Sequence, residues 1–259
     1  MESPPALIVL DLDGTLLSSA GEVSPRNLAA LRTCREANID LCIATARGPV
    51  TIAMTVPPIL RDALWITHNG AEAVQEGRRV HFRPLLPEAF RVAVDFAYEH
   101  TALPFLFAEI DGIPCASVDV SGFWGPGFQV VDFRQLGGAG VAKLLLRLPE
   151  GSDLSSLPLP PGTEMVIDRT GHALLQRVGV SKHEALEACC EHFGIGWNRI
   201  CAFGDDITDA GTLARARWGV AMGNAVPEAK AAARFHTSTN DEDGVAEFLG
   251  RFFALTAVQ

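Results

Sequence analysis

Two carboxylates stand one residue apart directly after an apolar run near the start of the chain. Asp11 and Asp13 follow the run 6–10 and precede Gly14 and Thr15. An uninterrupted apolar run is typical of a strand buried on both faces of a parallel sheet, and open α/β sheets bind ligands at the carboxyl edge of such strands. Because adjacent carboxylates disfavour each other's ionisation, the pair indicates a divalent-metal site, a nucleophile beside a general acid/base, or both.

A second acidic cluster follows another apolar run late in the chain. The run 199–203 leads into the segment GDDITD, which contains Asp205, Asp206 and Asp209. Three carboxylates so close together fit the oxygen ligands of a hard cation such as Mg²⁺. The alternative is that Asp206 or Asp209 caps a helix N-terminus, which would explain one of the three carboxylates.

Two polar side chains follow a predicted strand at 39–44. Thr45 offers a hydroxyl and a backbone N–H that suit a phosphoryl oxygen, although a threonine at a strand end also serves in ordinary turns. Arg47 would grip an anion or lie at the surface, and the sequence favours neither interpretation.

A helix-start pattern places Lys182. Ser181 and Glu184 fit the S-x-x-E capping box, so Lys182 is expected in the first helical turn. The helix dipole disfavours a cation there by about 0.3–1 kcal/mol. The position therefore indicates a nearby anion, because helix N-termini and ammonium groups both attract phosphate. A solvated lysine that tolerates the penalty is the alternative.

Strands and helices alternate in the first and last parts of the chain, whereas predicted strands predominate in the middle part. Helices are expected over 25–37, 49–57 and 87–100, and a hairpin over 74–82. Further strands are expected at 64–67, 104–110, 113–118, 142–148, 163–168 and 218–222. The predicted fold class is α/β: a doubly wound parallel sheet from residues 1–82 and 180–259, interrupted by a smaller inserted α/β domain at 83–179.

The composition limits the classes of partner. The 259 residues carry a net charge of −10 and no basic run, which argues against nucleic acid and anionic membranes. The N-terminus lacks a signal-peptide pattern and no apolar stretch is long enough to span a membrane, so a soluble, cytoplasmic protein is expected. The six cysteines form no CxxC pair and are expected to be buried thiols in a reducing compartment.

Four motifs together resemble those of the haloacid dehalogenase (HAD) superfamily. They are DLDGT at 11–15, Thr45, Lys182 and GDDITD at 204–209. The insertion resembles the type C2 cap of that superfamily, which implies a Rossmann-like core with an inserted cap. Three further segments resemble the Cof-type sugar-phosphatase branch, class IIB: THNGAEA at 67–73, AMGNA at 221–225 and NDEDGVAEFL at 240–249.

The resemblance implies a role for each motif residue. Asp11 is expected to be the nucleophile that forms an aspartyl-phosphate, and Asp13 the acid that protonates the leaving alcohol and then activates water. The residues expected to hold the phosphoryl group are Thr45 and Lys182, with Arg47, Asn69 and Asn224 as further candidates. The expected Mg²⁺ ligands are Asp11, the backbone carbonyl of Asp13, and Asp205, supported by Asp206 or Asp209.

The expected activity is Mg²⁺-dependent hydrolysis of a small phosphorylated metabolite, for which a sugar phosphate is the first candidate. A phosphomutase and a catalytically silent module that binds a phosphorylated ligand are the alternatives. Ala46, His183 and Thr208 depart from the family pattern, and Thr208 stands where Cof-type members usually have Asn. Trp124, in a loop at 122–128, is a candidate substrate contact or a packing aromatic.

Overall fold

The chain folds into two compact units. The core unit comprises Met1–His81 and Ser181–Gln259, and the inserted unit comprises Phe82–Val180. The computed structural model describes residues 4–110, 112–121, 127–149, 151–167 and 172–257, with side chains described as far as residue 251.

Helices and strands alternate along most of the described chain. In order, the strands are β1 (Leu7–Leu10), β2 (Asp40–Ala44), β3 (Leu64–Thr67), β4 (Glu72–Gln75), β5 (Arg78–Phe82), β6 (Phe105–Ile110), β7 (Ile113–Ala116), β8 (Gln129–Val130), β9 (Leu144–Arg147), β10 (Thr163–Ile167), β11 (Ala173–Arg177), β12 (Ile200–Gly204), β13 (Trp218–Ala221) and β14 (Phe235–His236). The α-helices are α1 (Pro25–Glu36), α2 (Pro49–Thr55), α3 (Pro87–His100), α4 (Lys182–Phe193), α5 (Ala210–Arg215), α6 (Pro227–Ala232) and α7 (Gly244–Ala257).

Local sequence signals account for where several helices begin and end. Ser24 caps α1, with its Oγ accepting a hydrogen bond from the amide of Asn27 at 3.0 Å. Proline occupies the first position of α1, α2, α3 and α6, where its missing N–H costs nothing. α4 ends at Gly194, whose φ of +68° is the left-handed conformation that glycine adopts readily.

The core unit is built on an eight-stranded sheet in the order β14-β13-β12-β1-β2-β3-β4-β5. The strands from β14 to β3 along this order are parallel, and β4 is antiparallel to β3. β1 is buried along its whole length and lies between β2 and β12, with Leu10 opposite both Ile43 and Phe203. Because these three strands end side by side, the residues that follow them meet at one carboxyl edge.

The inserted unit is built on a six-stranded sheet in the order β10-β11-β9-β6-β7-β8. Its buried cluster joins the apolar side of α3 to alternate residues of the strands, including Leu106, Leu144 and Leu175. Within this cluster Phe90 of α3 stacks on Phe133, with ring centroids 6.1 Å apart. The unit thus has a hydrophobic core of its own.

The α/β fold class predicted from the sequence is confirmed. The predicted helices at 25–37 and 87–100 correspond to α1 and α3. The predicted hairpin begins earlier than expected, because its first residue, Glu72, is a buried carboxylate that pairs with Arg79 at 2.6 Å and so interrupts the apolar pattern. Trp124 lies outside the described residues.

Two expectations about the whole chain can be compared with the structure. All six cysteines are buried free thiols, as predicted. Within the described part of the chain, no helix has the length and apolar character needed to cross a bilayer.

Candidate active site

Predicted site residues follow the ends of three neighbouring strands. Asp11 comes directly after β1 and is buried, with 6% of its surface exposed. Thr45 follows β2 and is fully buried, and Asp205 follows β12 and is partly buried. The parallel register of β1, β2 and β12 therefore accounts for the arrival of these three side chains at one edge of the core sheet.

Lys182 joins two of the carboxylates at this edge. It is the first residue of α4 and is buried, and its Nζ donates to Asp11 Oδ1 and to Asp209 Oδ1, each at 2.7 Å. Ser181 caps the helix, with its Oγ accepting from the amide of Glu184 at 3.3 Å. The sequence position of Lys182 indicated a nearby anion. In the structure, two aspartates of the protein itself lie beside the ammonium.

A close backbone approach positions the start of α4. Gly70, in the turn after β3, has a φ of +104°, and a Cβ built on it would lie 2.1 Å from the carbonyl oxygen of Ser181. Only a residue without a side chain can occupy this position undistorted. The turn after β3 therefore fixes how near Lys182 lies to the carboxylates.

Asp209 has two tasks. Its Oδ1 accepts from Lys182, while its Oδ2 accepts from the backbone amides of Asp205 and Asp206, each at 3.0 Å. Asp206 is the N-cap of the turn Ile207–Asp209 and Asp209 completes its capping box, so the capping alternative raised from the sequence applies to both residues. The Asp209 side chain also faces the buried lysine. Asp206 itself is exposed.

Three carboxylates form a compact triad, Asp11, Asp205 and Asp209. One oxygen from each lies within 4.8 Å of the other two. Burial raises the pKa of Asp205 to about 6, against a hydrogen bond from Thr15 that lowers it. Burial also raises the pKa of Asp11, although Lys182 opposes that shift. Clustered carboxylate oxygens that resist ionisation are the donor set that a hard divalent cation stabilises.

The charge of Lys182 is maintained by its neighbours. Burial alone lowers the pKa of an ammonium group, but the carboxylates of Asp11 and Asp209 outweigh that effect and raise the pKa of Lys182 above its ordinary value. Lys182 is therefore a permanent buried cation that partly offsets the triad.

Asp13 is held by Arg47. The guanidinium makes a two-pronged contact, with Nε 2.8 Å from Asp13 Oδ2 and Nη2 2.6 Å from Oδ1. A third bond runs from Arg47 Nη1 to Thr55 Oγ1 at 2.8 Å. The hydrogen bonding that Arg47 donates to Asp13 is the main cause that raises the pKa of Arg47. The Asp13 side chain is 59% exposed, so its carboxylate is oriented yet open to solvent.

Thr45 and Asn69 belong to one hydrogen-bonded turn system. The Thr45 Oγ1 accepts from the amide of Arg47 at 3.2 Å, and the Thr45 carbonyl accepts from the amide of Asn69 at 3.0 Å. Asn69 has a φ of +56°, and its Oδ1 is buried with no partner among the described residues. This unpaired oxygen beside Thr45 is an acceptor, so it is available to a hydrogen-bond donor and not to a phosphoryl oxygen.

Thr15 is a site residue to which sequence reasoning assigned no role. It is fully buried, and its Oγ1 donates to Asp205 Oδ1 at 2.7 Å. The available signal was its place in the DLDGT motif, which already predicted that this segment lies at the same edge as Asp205.

Asn224, predicted from the sequence as a phosphate contact, makes two contacts with protein backbone. Its Nδ2 donates to the carbonyl of Gly14 at 2.8 Å, and its Oδ1 accepts from the amide of Asn240 at 3.1 Å. Asn240 begins the family-like segment at 240–249, but the sequence analysis assigned it no contact, because nothing in its neighbourhood predicts one with a segment more than 200 residues earlier.

A separate cavity lies at the opposite edge of the core sheet. It has a volume of about 540 Å³ and is lined by residues at the amino ends of strands, such as Leu7, Asp40 and Leu64. No predicted site residue lines this cavity. The chemistry-bearing side chains are therefore concentrated at the carboxyl edge.

Comparison with known proteins gives consistent matches. A family model described as haloacid dehalogenase-like hydrolase matches residues 8–121 and 162–249. A 5-amino-6-(5-phospho-D-ribitylamino)uracil phosphatase of Bacillus subtilis is 29% identical, over 98% of this chain and 100% of that protein. A phosphoglycolate phosphatase of Pyrobaculum neutrophilum is 31% identical, over 88% of this chain and 87% of that protein.

A solved structure extends the match to the fold. The crystal structure of a haloacid dehalogenase-like hydrolase from Bacteroides thetaiotaomicron has a TM-score of 0.85 and 26% identity to this chain. The match covers 96% of this chain and 99% of that one. The residues matched by the family model include Asp11, Thr45, Lys182 and Asp205.

Proposed function

Because this chain belongs to the haloacid dehalogenase-like hydrolases, we propose that it is a Mg²⁺-dependent phosphatase. It hydrolyses a small phosphorylated metabolite, such as a sugar phosphate, through an aspartyl-phosphate on Asp11. The observation that carries this proposal is the buried Lys182, whose ammonium bridges Asp11 and Asp209 beside a third carboxylate.

The donor set of the site fits Mg²⁺. Asp11, Asp205 and Asp209 supply carboxylate oxygens, and the backbone carbonyl of Asp13 is a further candidate ligand. Burial raises the pKa values of Asp11 and Asp205, so a positive charge there would restore their ionised forms. When bound, the ion would neutralise negative charge on the phosphoryl oxygens.

Asp11 attacks phosphorus in the first step. A bond forms between a carboxylate oxygen of Asp11 and phosphorus, while the bond from phosphorus to the ester oxygen breaks. Asp13, which takes up a proton before this step, gives it to the departing alkoxide, which leaves as an alcohol. In the second step Asp13 takes a proton from water, whose oxygen attacks phosphorus and releases Asp11 and inorganic phosphate.

Lys182, Thr45 and Arg47 prepare these steps. The ammonium of Lys182 opposes the effect of burial, which raises the pKa of Asp11, and it attracts phosphoryl oxygens. Thr45, which follows β2, offers its hydroxyl to a phosphoryl oxygen. Arg47 holds both oxygens of Asp13, which fixes the direction from which this acid approaches the leaving group.

The substrate class is supported by what the relatives act on. One relative is named for a phosphorylated ribityl compound and another for phosphoglycolate, and both substrates are small phosphate monoesters. The acidic chain, with a net charge of −10, supports a small-molecule substrate over a nucleic acid. The six free thiols support action in the reducing cytoplasm.

Phosphate release tests the proposal. The wild-type chain is incubated with p-nitrophenyl phosphate and with a panel of sugar phosphates and short phospho-acids, in Mg²⁺ and in EDTA. We expect release of inorganic phosphate with Mg²⁺ and its loss in EDTA. Isomerised sugar phosphate without free phosphate would indicate a phosphomutase, and binding without turnover a silent module.

A matched pair of variants tests the nucleophile. Asp11→Asn should lower kcat by at least about a thousandfold, because the amide cannot displace the alcohol. Asp40→Asn, which removes an exposed carboxylate at the amino end of β2, should retain activity. After acid quenching, the added phosphoryl mass should lie on the peptide that contains Asp11. Unchanged turnover in Asp11→Asn would refute the assignment.

A further inference from the structure

We propose that Asn240, acting with Asn224, is a positioning residue that holds the catalytic loop, residues 13–19, in its active shape. This inference rests on the proposed phosphatase function, because the catalytic loop begins with the acid/base Asp13. The strap, residues 239–242, is a single turn between β14 and α7 and lies far from the loop in sequence.

Asn240 uses both its side chain and its backbone in this contact. Its Nδ2 donates to the carbonyl of Leu17 at 2.9 Å, and its amide N–H donates to Asn224 Oδ1 at 3.1 Å. Asn224 in turn contacts the catalytic loop, because its Nδ2 donates to the carbonyl of Gly14 at 2.8 Å. Two carbonyls of a loop without regular secondary structure are thereby satisfied by two asparagines.

A third contact fixes the far end of the catalytic loop. The Asp241 carboxylate accepts from the amide of Ser19 at 2.7 Å and from the Ser19 hydroxyl. The strap therefore contacts the loop near its end, and through Asn224 near its start. A loop held at several points has fewer accessible conformations, so Asp13 needs less ordering when substrate binds.

The segment that contains Asn224 also contacts Asp205, one of the proposed metal ligands. The amide of Val226, two residues after Asn224, donates to the carbonyl of Asp205 at 2.8 Å, and Thr15 donates to the Asp205 carboxylate at 2.7 Å. Gly14 has a φ of +76°, and a Cβ on it would lie 2.4 Å from Asp205 Oδ2. Any displacement of Gly14 thus alters the distance between Asp13 and the metal-binding carboxylates.

A neighbouring residue offers a matched control. Glu242 closes the same turn, with its Oε2 accepting from the Thr239 amide at 3.2 Å and from the Thr239 hydroxyl at 2.9 Å. These contacts stabilise the strap itself and involve no residue of the catalytic loop. Asn240→Ala and Glu242→Ala therefore separate positioning of the loop from the stability of the turn.

Kinetics and hydrogen exchange test the inference. In Asn240→Ala and Asn224→Ala we expect kcat for p-nitrophenyl phosphate to fall on the order of tenfold to a hundredfold, while KM changes by less than about threefold. Amide exchange over 13–19 should accelerate, and Mg²⁺ measured alone by calorimetry should bind more weakly. Glu242→Ala, which keeps both contacts of Asn240, should change kcat and the exchange over 13–19 less than Asn240→Ala does. The double variant should lose little more than either single variant, because the two asparagines act in one chain of contacts.

Distinct results separate failure of this inference from failure of the proposed function. A wild type that hydrolyses no phosphate ester contradicts the function, and exchange over 13–19 then still decides whether the strap holds the loop. An active wild type with unchanged kcat and exchange in Asn240→Ala overturns the inference alone. If Asn240→Ala does not fold, Asn240→Asp keeps the side-chain size and replaces the donor to Leu17 by a carboxylate oxygen; wild-type kcat in that variant overturns the inference.

Discussion

Lys182 determines the charge balance of the site at the scale of single residues. Its ammonium is buried and forms ion pairs with both Asp11 and Asp209, so one positive charge serves two buried carboxyl groups. Removal of one member of a buried ionic group leaves the remaining charges without compensation, which costs more than the group contributes when intact. The lysine is therefore expected to matter for folding and, in the proposed mechanism, for catalysis.

Lys182→Met should destabilise the metal-free protein by about 3–5 kcal/mol, because two buried carboxylates lose their partner. Urea unfolding in EDTA measures this change. Lys230→Met is the control: it removes a lysine whose Nζ donates to the carbonyl of Gly223 at 2.7 Å, and should cost about 1 kcal/mol. Equal losses in the two variants would contradict the central place given to Lys182.

Arg47→Met should lower kcat on the order of tenfold, since Asp13 loses the two-pronged contact that orients it. Steady-state kinetics with p-nitrophenyl phosphate measure the change. Arg35→Met provides the comparison, because Arg35 also pairs with carboxylates, at 3.0 Å from Asp62 and 3.7 Å from Asp40, but at the amino edge of the sheet. A similar loss in Arg35→Met would show that the effect is not specific to Asp13.

At the scale of elements, the turn after β3 and the start of α4 act as a pair. Gly70→Ala should displace α4, because the new Cβ would overlap the Ser181 carbonyl. We expect a loss of about 2–4 kcal/mol in the free energy of unfolding and a large fall in kcat as Lys182 moves. Unfolding and kinetic measurements on the same preparation test both effects.

Gly77→Ala is the matched control for that substitution. Gly77 also has a positive φ, +75°, but a Cβ on it would meet nothing within 4 Å. It should cost about 1 kcal/mol through backbone strain and leave kcat unchanged. If Gly77→Ala were as harmful as Gly70→Ala, strain alone, and not displacement of α4, would explain both.

Elements that carry local signals could be predicted from the sequence. The apolar run before Asp11 predicts β1, and Ser24 with Pro25 predicts the start of α1. Polar residues that follow strands predict one shared edge, because parallel strands end together. These inferences depend on neighbours in the chain or on general rules of sheet topology.

Contacts across large sequence separations could not be predicted in this way. The pairing of Arg47 with Asp13, the approach of Gly70 to Ser181 and the contact of Asn240 with Leu17 depend on how loops meet after folding. Each of these residue types is common in loops for other reasons, so its presence alone indicates no partner. Glu72 shows the converse case, in which a buried charge concealed the start of a strand.

At the scale of the whole molecule, an acidic protein concentrates three of its carboxyl groups at the carboxyl edge of the core sheet. The net charge is −10, and burial raises the pKa of Asp205 to about 6. Its pKa in the folded state thus lies above the unfolded value of about 3.9. A carboxylate of this kind favours folding at low pH, and that contribution disappears as the pH rises through about 6.

In EDTA, stability should therefore fall as the pH rises from about 4, through about 6 for Asp205 and on through about 8 for Asp11. Asp205 should contribute about 1 kcal/mol after allowance for its partial exposure. The gain in Tm on adding Mg²⁺ should increase over the same range, because the ion binds the ionised carboxylates. Thermal unfolding across pH measures both trends.

Two variants isolate the source of the pH dependence. Asp205→Asn should flatten the part of the profile around pH 6, whereas Asp206→Asn, which removes an exposed carboxylate one residue away, should preserve it. A profile that is unaffected by Asp205→Asn would assign the effect to other groups.

The position of β1 between β2 and β12 has a consequence for the nascent chain on the ribosome. β2 follows β1 within 40 residues, but the partner on the other side, β12, begins at Ile200. At about 5–20 residues per second, roughly 10–40 s separate the synthesis of β1 from that of β12. During that time β1 presents an unpaired apolar edge, the kind of surface on which chains aggregate and chaperones act. The inserted unit, whose own strands are complete by Arg177, is made within this interval and can fold before the central sheet closes.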